Sequence, residues 1–433
     1  MSELTIKLPS ASLADSSTPA PHRILARAFA ALDRAGIGWC LLRGETDLDR
    51  PDQEVDLLVD PDDGAGLASV LGALGFVEQA AWGRGTHRPF VAYEPIDDAW
   101  AKLDVVAQLD FGHRSEIETG VAAACLARRQ RAGNVTMLAE DDRFWALLLH
   151  CILDRGGVPE RHAGPLRRMA AGESMGGPLA AWFEAHAPPG WDGARVLSLA
   201  RQGAWRPLAQ LGNELRTAIG SGGGAGALRI GRSALRRLTK VRTAMLQPGL
   251  SVALLGPDGV GKSTMASELA RTFFFPVRSV YMGLYGAGPG GRAPRGLAGR
   301  VVRQWMGYAR ATYHRRRGRL VVYDRFGYDV LLRSPRRAGL RSRVRRWVLV
   351  HAIPSPDVAM LLDAPAEVLA ARKDEHALDE LRSLRHAYLA LAQRIDLPVV
   401  RADRASDEVR RELTALIWER YVDRSLRRAA RRR

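Results

Sequence analysis

Gly256-Pro257-Asp258-Gly259-Val260-Gly261-Lys262-Ser263-Thr264 is the stretch that decides the fold of this chain. It follows an apolar run, residues 251–255, and opens a stretch with helical spacing, residues 264–272. The pattern GxxxxGK[ST] between a strand and a helix is typical of a loop whose backbone N–H groups converge on phosphate oxygens, while the helix N-terminus adds the positive end of its dipole. The sequence therefore predicts a phosphate-binding loop.

The residue types in this loop have separate physical roles. Gly256, Gly259 and Gly261 allow backbone conformations and a close approach to phosphate that a Cβ would obstruct. We expect Lys262 to reach the terminal phosphates and Ser263 to offer its hydroxyl to Mg²⁺. The expected nucleotide-binding set is Gly256, Asp258, Gly259, Gly261, Lys262, Ser263 and Thr264. The alternative is an accidental glycine turn, which the agreement of strand, spacing, lysine and hydroxyl disfavours.

Composition limits the class of protein. The chain has 433 residues, which is too long for one ordinary core, so we expect two or three domains. It contains no apolar run approaching a membrane span and no signal-peptide core. Its three cysteines are scattered without metal-ligand spacing. These features predict a cytoplasmic protein without a disulfide framework or zinc site.

The charge is unevenly distributed. Residues 1–220 contain 22 Lys and Arg against 29 Asp and Glu, whereas residues 221–433 contain 42 against 18. A basic half can attract nucleotide, nucleic acid or an anionic membrane surface. The alternative, which we favour from sequence, is that most of these arginines form a solvated face.

Changes in pattern divide the chain into six segments. We expect a disordered tail (1–21), a small α/β domain (22–135), a helical region (136–220), a Gly-rich linker with a basic helix (221–248), a larger α/β domain (249–425) and a basic tail (426–433). In the larger domain, strand candidates at 251–255, 279–282, 320–323, 358–362 and 398–400 alternate with helical patterns. This alternation predicts a parallel five-stranded sheet with helices on both faces and ligands at the carboxyl ends of its strands.

A second motif, Asp324-Arg325, follows the apolar run Leu320-Val321-Val322-Tyr323. A carboxylate at the end of a buried strand can hold Mg²⁺ or orient an acceptor, and a guanidinium can bind phosphate with two parallel hydrogen bonds. A third motif, residues 356–365, precedes a helical stretch with Arg372 and Lys373, and Arg382 and Arg385 follow later.

Together these motifs resemble the thymidylate kinase family of P-loop nucleoside monophosphate kinases, whose loop reads GxDGxGKST. The resemblance covers residues 249 to about 420. It implies that the loop and Lys262 hold ATP phosphates, that Ser263 binds Mg²⁺, that Asp258 contacts the sugar hydroxyl of the acceptor and that Arg325 binds its phosphate. It also implies a lid arginine, for which Arg372, Arg382 and Arg385 are alternatives. We expect Lys262, Asp324, Arg325 and Arg372 to be catalytic, with Asp324 as a further metal ligand.

The sequence departs from that family after the second strand. The family has an arginine-containing REPGG-type segment there, but this chain reads Val280-Tyr281-Met282-Gly283-Leu284-Tyr285-Gly286. The lid is short, and the insertion at residues 286–318 is long and basic. Phosphoryl transfer is therefore better supported than thymidylate as the acceptor.

The N-terminal domain resembles the nucleotidyltransferase superfamily, whose pattern is a glycine turn followed by DxD on a strand. Here Arg43-Gly44-Glu45 is followed by Glu54-Val55-Asp56, and strand alternation places Glu54 and Asp56 on one face. Asp104 on a neighbouring strand would complete a Mg²⁺ site. Glu54 and Glu45 depart from the usual Asp and Ser. Three readings stay open: an active transferase, a degenerate binding module, and surface carboxylates without a ligand. A lone histidine in the helical region, His150, is expected to pack rather than to bind a ligand.

The leading prediction is an α/β enzyme, a nucleotide kinase that uses ATP and Mg²⁺ and acts on a nucleotide or a related phosphorylated small molecule. One alternative is a P-loop regulatory protein. Another is a nucleotidyltransferase whose P-loop half is a regulatory module. A homodimer stays open as a partner alternative, whereas contacts of the basic segments with nucleic acid or an anionic membrane are alternatives that the sequence does not favour.

Overall fold

A computed structural model gives the structure of the chain and describes residues 20–43, 47–79, 87–112, 116–172, 176–220, 249–283, 296–332, 339–372 and 377–431. The chain divides into two compact units. The first unit contains residues 1–70 and 101–223, and the second contains residues 71–100 and 224–433. The second unit is therefore built from two separated stretches of sequence. The linker and basic helix expected at residues 221–248, and residues 1–19 of the expected N-terminal tail, lie outside the described residues.

The N-terminal half of the chain forms a mixed sheet. Its strands are β1 (Trp39–Arg43), β2 (Glu54–Val59), β3 (Val77–Glu78), β4 (Arg88–Glu94), β5 (Ala99–Val106), β6 (Asp110–Phe111), β7 (Ile117–Glu118), β8 (Gln130–Ala132) and β9 (Val135–Met137). Seven of them lie in the order β3-β4-β5-β2-β1-β9-β8, while β6 and β7 form a separate pair. Strands β1, β2, β4 and β5 have five to eight residues, whereas the other strands of this half have two or three.

Helices surround this sheet and fill the middle of the chain. They are α1 (Arg23–Arg34), α2 (Gly64–Ala73), α3 (Ala122–Ala127), α4 (Glu140–Leu149), α5 (Glu160–Ala170), α6 (Pro178–His186), α7 (Gly193–Gln202) and α8 (Trp205–Gly220). In the first unit, α4 to α8 bury one apolar cluster that includes Trp145, Phe183 and Leu211. The helical pattern expected for residues 136–220 is confirmed by these elements.

The second unit contains a sheet in which all strands are parallel. Its strands are β10 (Ser251–Leu255), β11 (Val277–Tyr281), β12 (Leu320–Asp324), β13 (Val358–Asp363) and β14 (Val399–Arg401). Their order is β11-β12-β10-β13-β14, so the strand that leads into the glycine loop is central. The predicted five-stranded parallel sheet is confirmed. Every carboxyl end lies at one edge, where ligands bind in open α/β sheets.

Helices connect these strands. They are α9 (Lys262–Thr272), α10 (Gly296–Arg316), α11 (Asp329–Leu332), α12 (Leu340–His351), α13 (Ala366–Arg372), α14 (Leu378–Arg394) and α15 (Ser406–Ala430). Residues 426–430 of the expected basic tail thus form the end of α15. This helix buries an apolar stripe earlier in its length, Val409, Leu413, Ile417 and Tyr421. None of the helices in the described ranges is long and apolar enough to cross a lipid bilayer.

Residues 71–100 belong to the second unit through specific contacts. The indole N–H of Trp100 donates to the carbonyl of Thr272 at 3.2 Å, and its ring packs edge-on against Phe273 and Trp418. Asp98 is paired with the buried Arg410 of α15. Pattern analysis did not predict this association, because it depends on contacts between residues more than 150 positions apart.

Candidate functional site

The glycine loop follows the central strand β10 and ends where α9 begins at Lys262. Gly256, Gly259 and Gly261 have φ angles of +142°, +86° and +101°, a region that side chains other than glycine rarely adopt. A Cβ on Gly256 would also lie 2.6 Å from the carbonyl oxygen of Leu362. The loop therefore requires glycine for its own conformation, as the sequence predicted.

Lys262 lies inside the loop. Its ammonium donates to the carbonyl oxygens of Gly256 at 2.7 Å and Pro257 at 2.8 Å, and it lies 3.5 Å from Oδ1 of Asp258. These contacts hold the ammonium group of Lys262 against the backbone of the glycine loop. The next two residues, Ser263 and Thr264, lie in the first turn of α9 and are exposed. An anion entering the loop would meet this ammonium and the positive end of the helix dipole.

Asp258 connects the loop to the next strand. Arg325, directly after β12, donates through Nη2 to both carboxylate oxygens of Asp258, at 3.0 and 3.1 Å. Partial burial opposes ionisation of Asp258, but the charges of Lys262 and Arg325 outweigh it and lower the pKa of its carboxyl. The two motifs found separately in the sequence are thus in direct contact.

Asp324, Lys262 and Ser263 line one cavity of about 240 Å³. The cavity lies between α9 and the strands β11 and β12, and Ser267 and Ser279 add further hydroxyls. A carboxylate and hydroxyls are the oxygen ligands that Mg²⁺ prefers, and the ammonium supplies charge for a phosphate. The donor set therefore fits a magnesium-bound phosphate.

Arg303 is a candidate site residue that the sequence reasoning missed. It lies on α10, yet its guanidinium is 5.7 Å from the ring centroid of Tyr281, and its Nη1 donates to the carbonyl of Gly283 at 3.4 Å. Tyr281 pairs in register with Asp324 on the neighbouring strand. A guanidinium is therefore present at the carboxyl end of β11, although the sequence there contains no arginine. In the sequence, only the position of Arg303 in the long basic insertion could have indicated that it belongs to the candidate site.

The three lid arginines have different partners. Arg385 donates to both carboxylate oxygens of the buried Asp363 at 2.8 Å. Arg382 pairs with the exposed Glu367 at 2.9 Å and with Asp379 at 3.2 Å. Arg372 donates to the carbonyl of Ala402 at 3.2 Å, just beyond the end of β14. Residues 373–376, which include Lys373, lie outside the described residues.

A second cluster lies in the first unit. The carboxylates of Glu54, Asp56 and Asp104 have oxygen atoms within 4.8 Å of one another. The cluster forms because β2 and β5 are parallel neighbours with Asp56 directly opposite Asp104. Arg43 binds Asp56 at 2.7 Å, and Lys102 binds Glu54 at 2.9 Å. The oxygen donor set fits a hard divalent cation. The adjacent Gly44 and Glu45 lie outside the described residues.

The three carboxylates of this cluster repel one another when they are ionised. Burial raises the pKa of Asp56; the charge of Arg43 opposes this shift, and the charges of Asp104 and Glu54 add to it. A divalent cation would relieve such repulsion, because it favours the ionised form of all three groups.

His150 begins a π-helical turn, His150–Asp154, at the end of α4. Its Nδ1 is 2.5 Å from Oδ2 of Asp154, and Arg155 donates through Nε to its Nε2 at 3.3 Å. Burial lowers its pKa, and the charge of Arg43 acts in the same direction. His150 therefore contacts a residue of its own turn, and its local sequence pattern did not indicate a π turn.

Comparison with known proteins adds little. No protein-family model matches the chain, and neither does any curated protein. Among solved structures the chain is similar to the thymidylate kinase of Candida albicans, with 16% identity over 40% of this chain and 94% of that chain. The TM-score is 0.32. The α/β fold class rests on the five-stranded parallel sheet and the seven-stranded sheet themselves.

Proposed function

We propose that the second unit is an ATP-dependent phosphotransferase whose acceptor is a nucleoside monophosphate or a related phosphorylated small molecule. One observation carries the proposal: Lys262, Ser263 and Asp324, which follows the apolar part of β12, line a single cavity between α9 and the parallel strands. A loop that only binds phosphate needs Lys262 and Ser263 but not Asp324. A carboxylate on the neighbouring strand adds the means to hold a metal ion or to orient a nucleophile.

Each side chain has a role in this proposal. The loop amides and Lys262 bind the β- and γ-phosphates of ATP, and the ammonium balances charge that develops during transfer. Arg325 and Arg303 bind the acceptor phosphate, because both guanidinium groups lie at the carboxyl ends of neighbouring strands. Asp258 fixes the position of Arg325. Phosphoryl transfer depends mainly on such positioning and electrostatic stabilisation.

Mg²⁺ would be held by Ser263 and Asp324, whose oxygen donors suit it. When bound, Mg²⁺ neutralises negative charge on the phosphate oxygens. Lys262 would supply a positively charged hydrogen-bond donor to the phosphate oxygens. Asp324 would supply negative charge on the side of the cavity where Mg²⁺ would bind.

The test is an acceptor panel scored by ADP formation in the presence of ATP and Mg²⁺. The panel includes dTMP and dUMP, other nucleoside monophosphates and sugar phosphates. We expect one class to stimulate ADP formation, and Lys262→Ala to reduce it by about 100-fold or more. Arg271→Ala, an exposed change on the same helix, is the control. If every acceptor gives only the ATP hydrolysis seen without acceptor, the kinase proposal is wrong and the regulatory alternative is favoured.

A second function is proposed for the first unit: metal-dependent nucleotidyl transfer or nucleotide binding. It is supported by the clustering of Glu54, Asp56 and Asp104 within 4.8 Å. Pyrophosphate release from nucleoside triphosphates in the Lys262→Ala protein would isolate this activity from the P-loop. Asp56→Ala should abolish it. Binding without pyrophosphate release would favour a degenerate module, and no binding would contradict both readings.

A further inference from the structure

Helix α10 of the second unit exposes an apolar stripe to solvent. Four of its large apolar side chains are at least half exposed: Val302 (57%), Trp305 (50%), Met306 (69%) and Tyr313 (51%). Their spacing of three, four and seven residues places them on one side of the helix. The opposite side is buried through Gln304 and Ala311. The exposed stripe is therefore a second apolar face on a helix that is already anchored to its unit.

Helix α12 repeats this arrangement. Leu340, Val344 and Trp347 are 76%, 50% and 63% exposed and are spaced by four and three residues. The buried residue on the other side is Leu349, whose carbonyl accepts a hydrogen bond from Nε2 of Gln304 at 2.9 Å. The two helices are thus in direct contact through residues of their buried sides, and the exposed apolar residues of both stripes are together called the α10–α12 surface.

The charge of these helices has one sign. They contain nine arginines and no aspartate or glutamate. The exposed members of this set are Arg310, Arg316, Arg341, Arg343 and Arg345. On α12, Arg343 lies on one side of the apolar stripe and Arg341 and Arg345 lie on the other, by helical spacing. Each stripe is therefore bordered by cationic groups.

We propose that the α10–α12 surface binds an anionic lipid surface. Exposed Trp, Leu, Met and Val side chains bordered by arginine are the composition of helices that lie in the membrane interface, where apolar groups enter the acyl boundary and guanidinium groups meet anionic headgroups. The proposal is independent of the phosphotransferase, because it uses none of the residues of the glycine loop.

Two other binding partners match the charge and residue composition of the α10–α12 surface less well than lipid does. A second copy of this chain would place the same arginine-rich helices against each other without an acidic partner, and like charges across an interface are unfavourable. Nucleic acid would satisfy the arginines and could stack on Trp305 and Trp347. It would leave the aliphatic Leu340, Val344 and Met306 without a matching surface, whereas lipid accommodates both kinds of group.

The experiment is co-sedimentation of the full chain with vesicles. One set contains phosphatidylcholine alone, and the other contains about one-third phosphatidylglycerol. We expect at least about tenfold stronger binding to the anionic vesicles, weakened by added salt. The double variant Trp305→Ser/Trp347→Ser should lower binding to anionic vesicles by about tenfold or more. Ile96→Ser is the matched control, because Ile96 is 71% exposed and lies outside the surface.

Several results would overturn the proposal. One is equal binding to neutral and anionic vesicles, or no binding to either. Another is unchanged binding of the double variant when its melting temperature equals that of the parent protein. A third is a dimer in light scattering that the double variant converts to a monomer, which would identify a second copy as the occupant. A fourth is tight binding to a nucleic acid duplex or single strand that prevents vesicle binding and is lost in the double variant.

Discussion

The Arg325 guanidinium donates to both carboxylate oxygens of Asp258, at 3.0 and 3.1 Å, across the gap between the loop after β10 and the end of β12. Arg325 does so from a backbone φ of +65°, in the left-handed region that is uncommon for residues other than glycine. Backbone strain of this kind is often found at functional sites, where the surrounding structure maintains it. The pair therefore positions the guanidinium at the proposed site.

Arg325→Gln should weaken use of the acceptor more than use of ATP. The variant removes the guanidinium but keeps a polar side chain, so acceptor-dependent ADP formation should fall roughly ten- to a hundredfold, the loss expected for one charged hydrogen-bonding group. The measurement is steady-state kinetics with acceptor and ATP varied separately. A rise in the KM for ATP with an unchanged KM for the acceptor would contradict the assignment of Arg325 to the acceptor.

Arg372 and Arg385 should respond differently to substitution. Arg385 is bonded twice to the buried Asp363, so Arg385→Ala should lower the free energy of unfolding by about 1–3 kcal/mol. Arg372 is bonded to one backbone carbonyl, so its guanidinium contributes less to the folded state, and we keep it as the proposed lid residue. Arg372→Ala should therefore lower kcat by about a thousandfold with an unchanged melting temperature. The reverse pattern would identify Arg385 as the lid residue.

Gly256→Ala tests the need for glycine in the loop. The new Cβ would lie 2.6 Å from the Leu362 carbonyl oxygen, and the φ of +142° suits only glycine. We expect a loss of about 1–3 kcal/mol in the free energy of unfolding and no detectable ATP binding. Gly339→Ala is the matched control, because its Cβ would meet nothing within 4 Å and its φ is −61°. Chemical denaturation and nucleotide titration measure the two effects.

Divalent cations should stabilise the first unit through its carboxylates. Without nucleotide, millimolar Mg²⁺ or Mn²⁺ should raise the melting temperature, and a chelator should reverse the change, because binding to the folded state alone is stabilising. Asp56→Asn should remove the effect, whereas the exposed Asp62→Asn should keep it. An equal shift in both variants would place the cation elsewhere.

His162 should make stability depend on pH. Burial lowers its pKa to about 4, and the charges of Arg161, His150 and Arg155 act in the same direction. The unfolded value is about 6.5. Between these values the unfolded chain binds a proton that the folded chain does not, so the free energy of unfolding falls as the pH drops from about 6.5 toward 4. His162→Gln should show a smaller fall in urea titrations over this range, and an equal fall would contradict the assignment.

The central part of the fold could be predicted because it is encoded locally. Strands β10, β12 and β13 are short apolar runs beside glycine or charged residues, and the loop motif fixes where α9 begins. Carboxyl ends of parallel strands meet at one edge, so the proximity of Asp324 to Lys262 followed from the predicted sheet. Clustering of Glu54, Asp56 and Asp104 followed in the same way from strand alternation.

The remainder depends on contacts that a local pattern does not contain. Strands β3 and β6 to β9 have only two or three residues. This is too short to show the alternation of apolar and polar residues by which a strand is recognised in sequence. Arg303 reaches the end of β11 from a helix about 20 residues later in the chain, so spacing could not identify it. At the π turn that begins at His150, the carbonyls of Ile152 and Leu153 accept hydrogen bonds at 3.0 and 2.6 Å from Arg216, a residue more than 60 positions away.

The aromatic cluster around Trp100 means that the two units cannot be separated by cutting the chain at residues 221–248. A fragment beginning at residue 249 would lose Trp100, the partner of Phe273 and Trp418, and would leave the buried guanidinium of Arg410 without Asp98. Such a fragment should aggregate, because the apolar surface of Phe273 and Trp418 that Trp100 covers would become exposed to solvent. A segment encoded inside the first half of the chain is thus part of the core of the second unit, so the second unit needs residues 71–100 as well as residues 249–431 in order to fold.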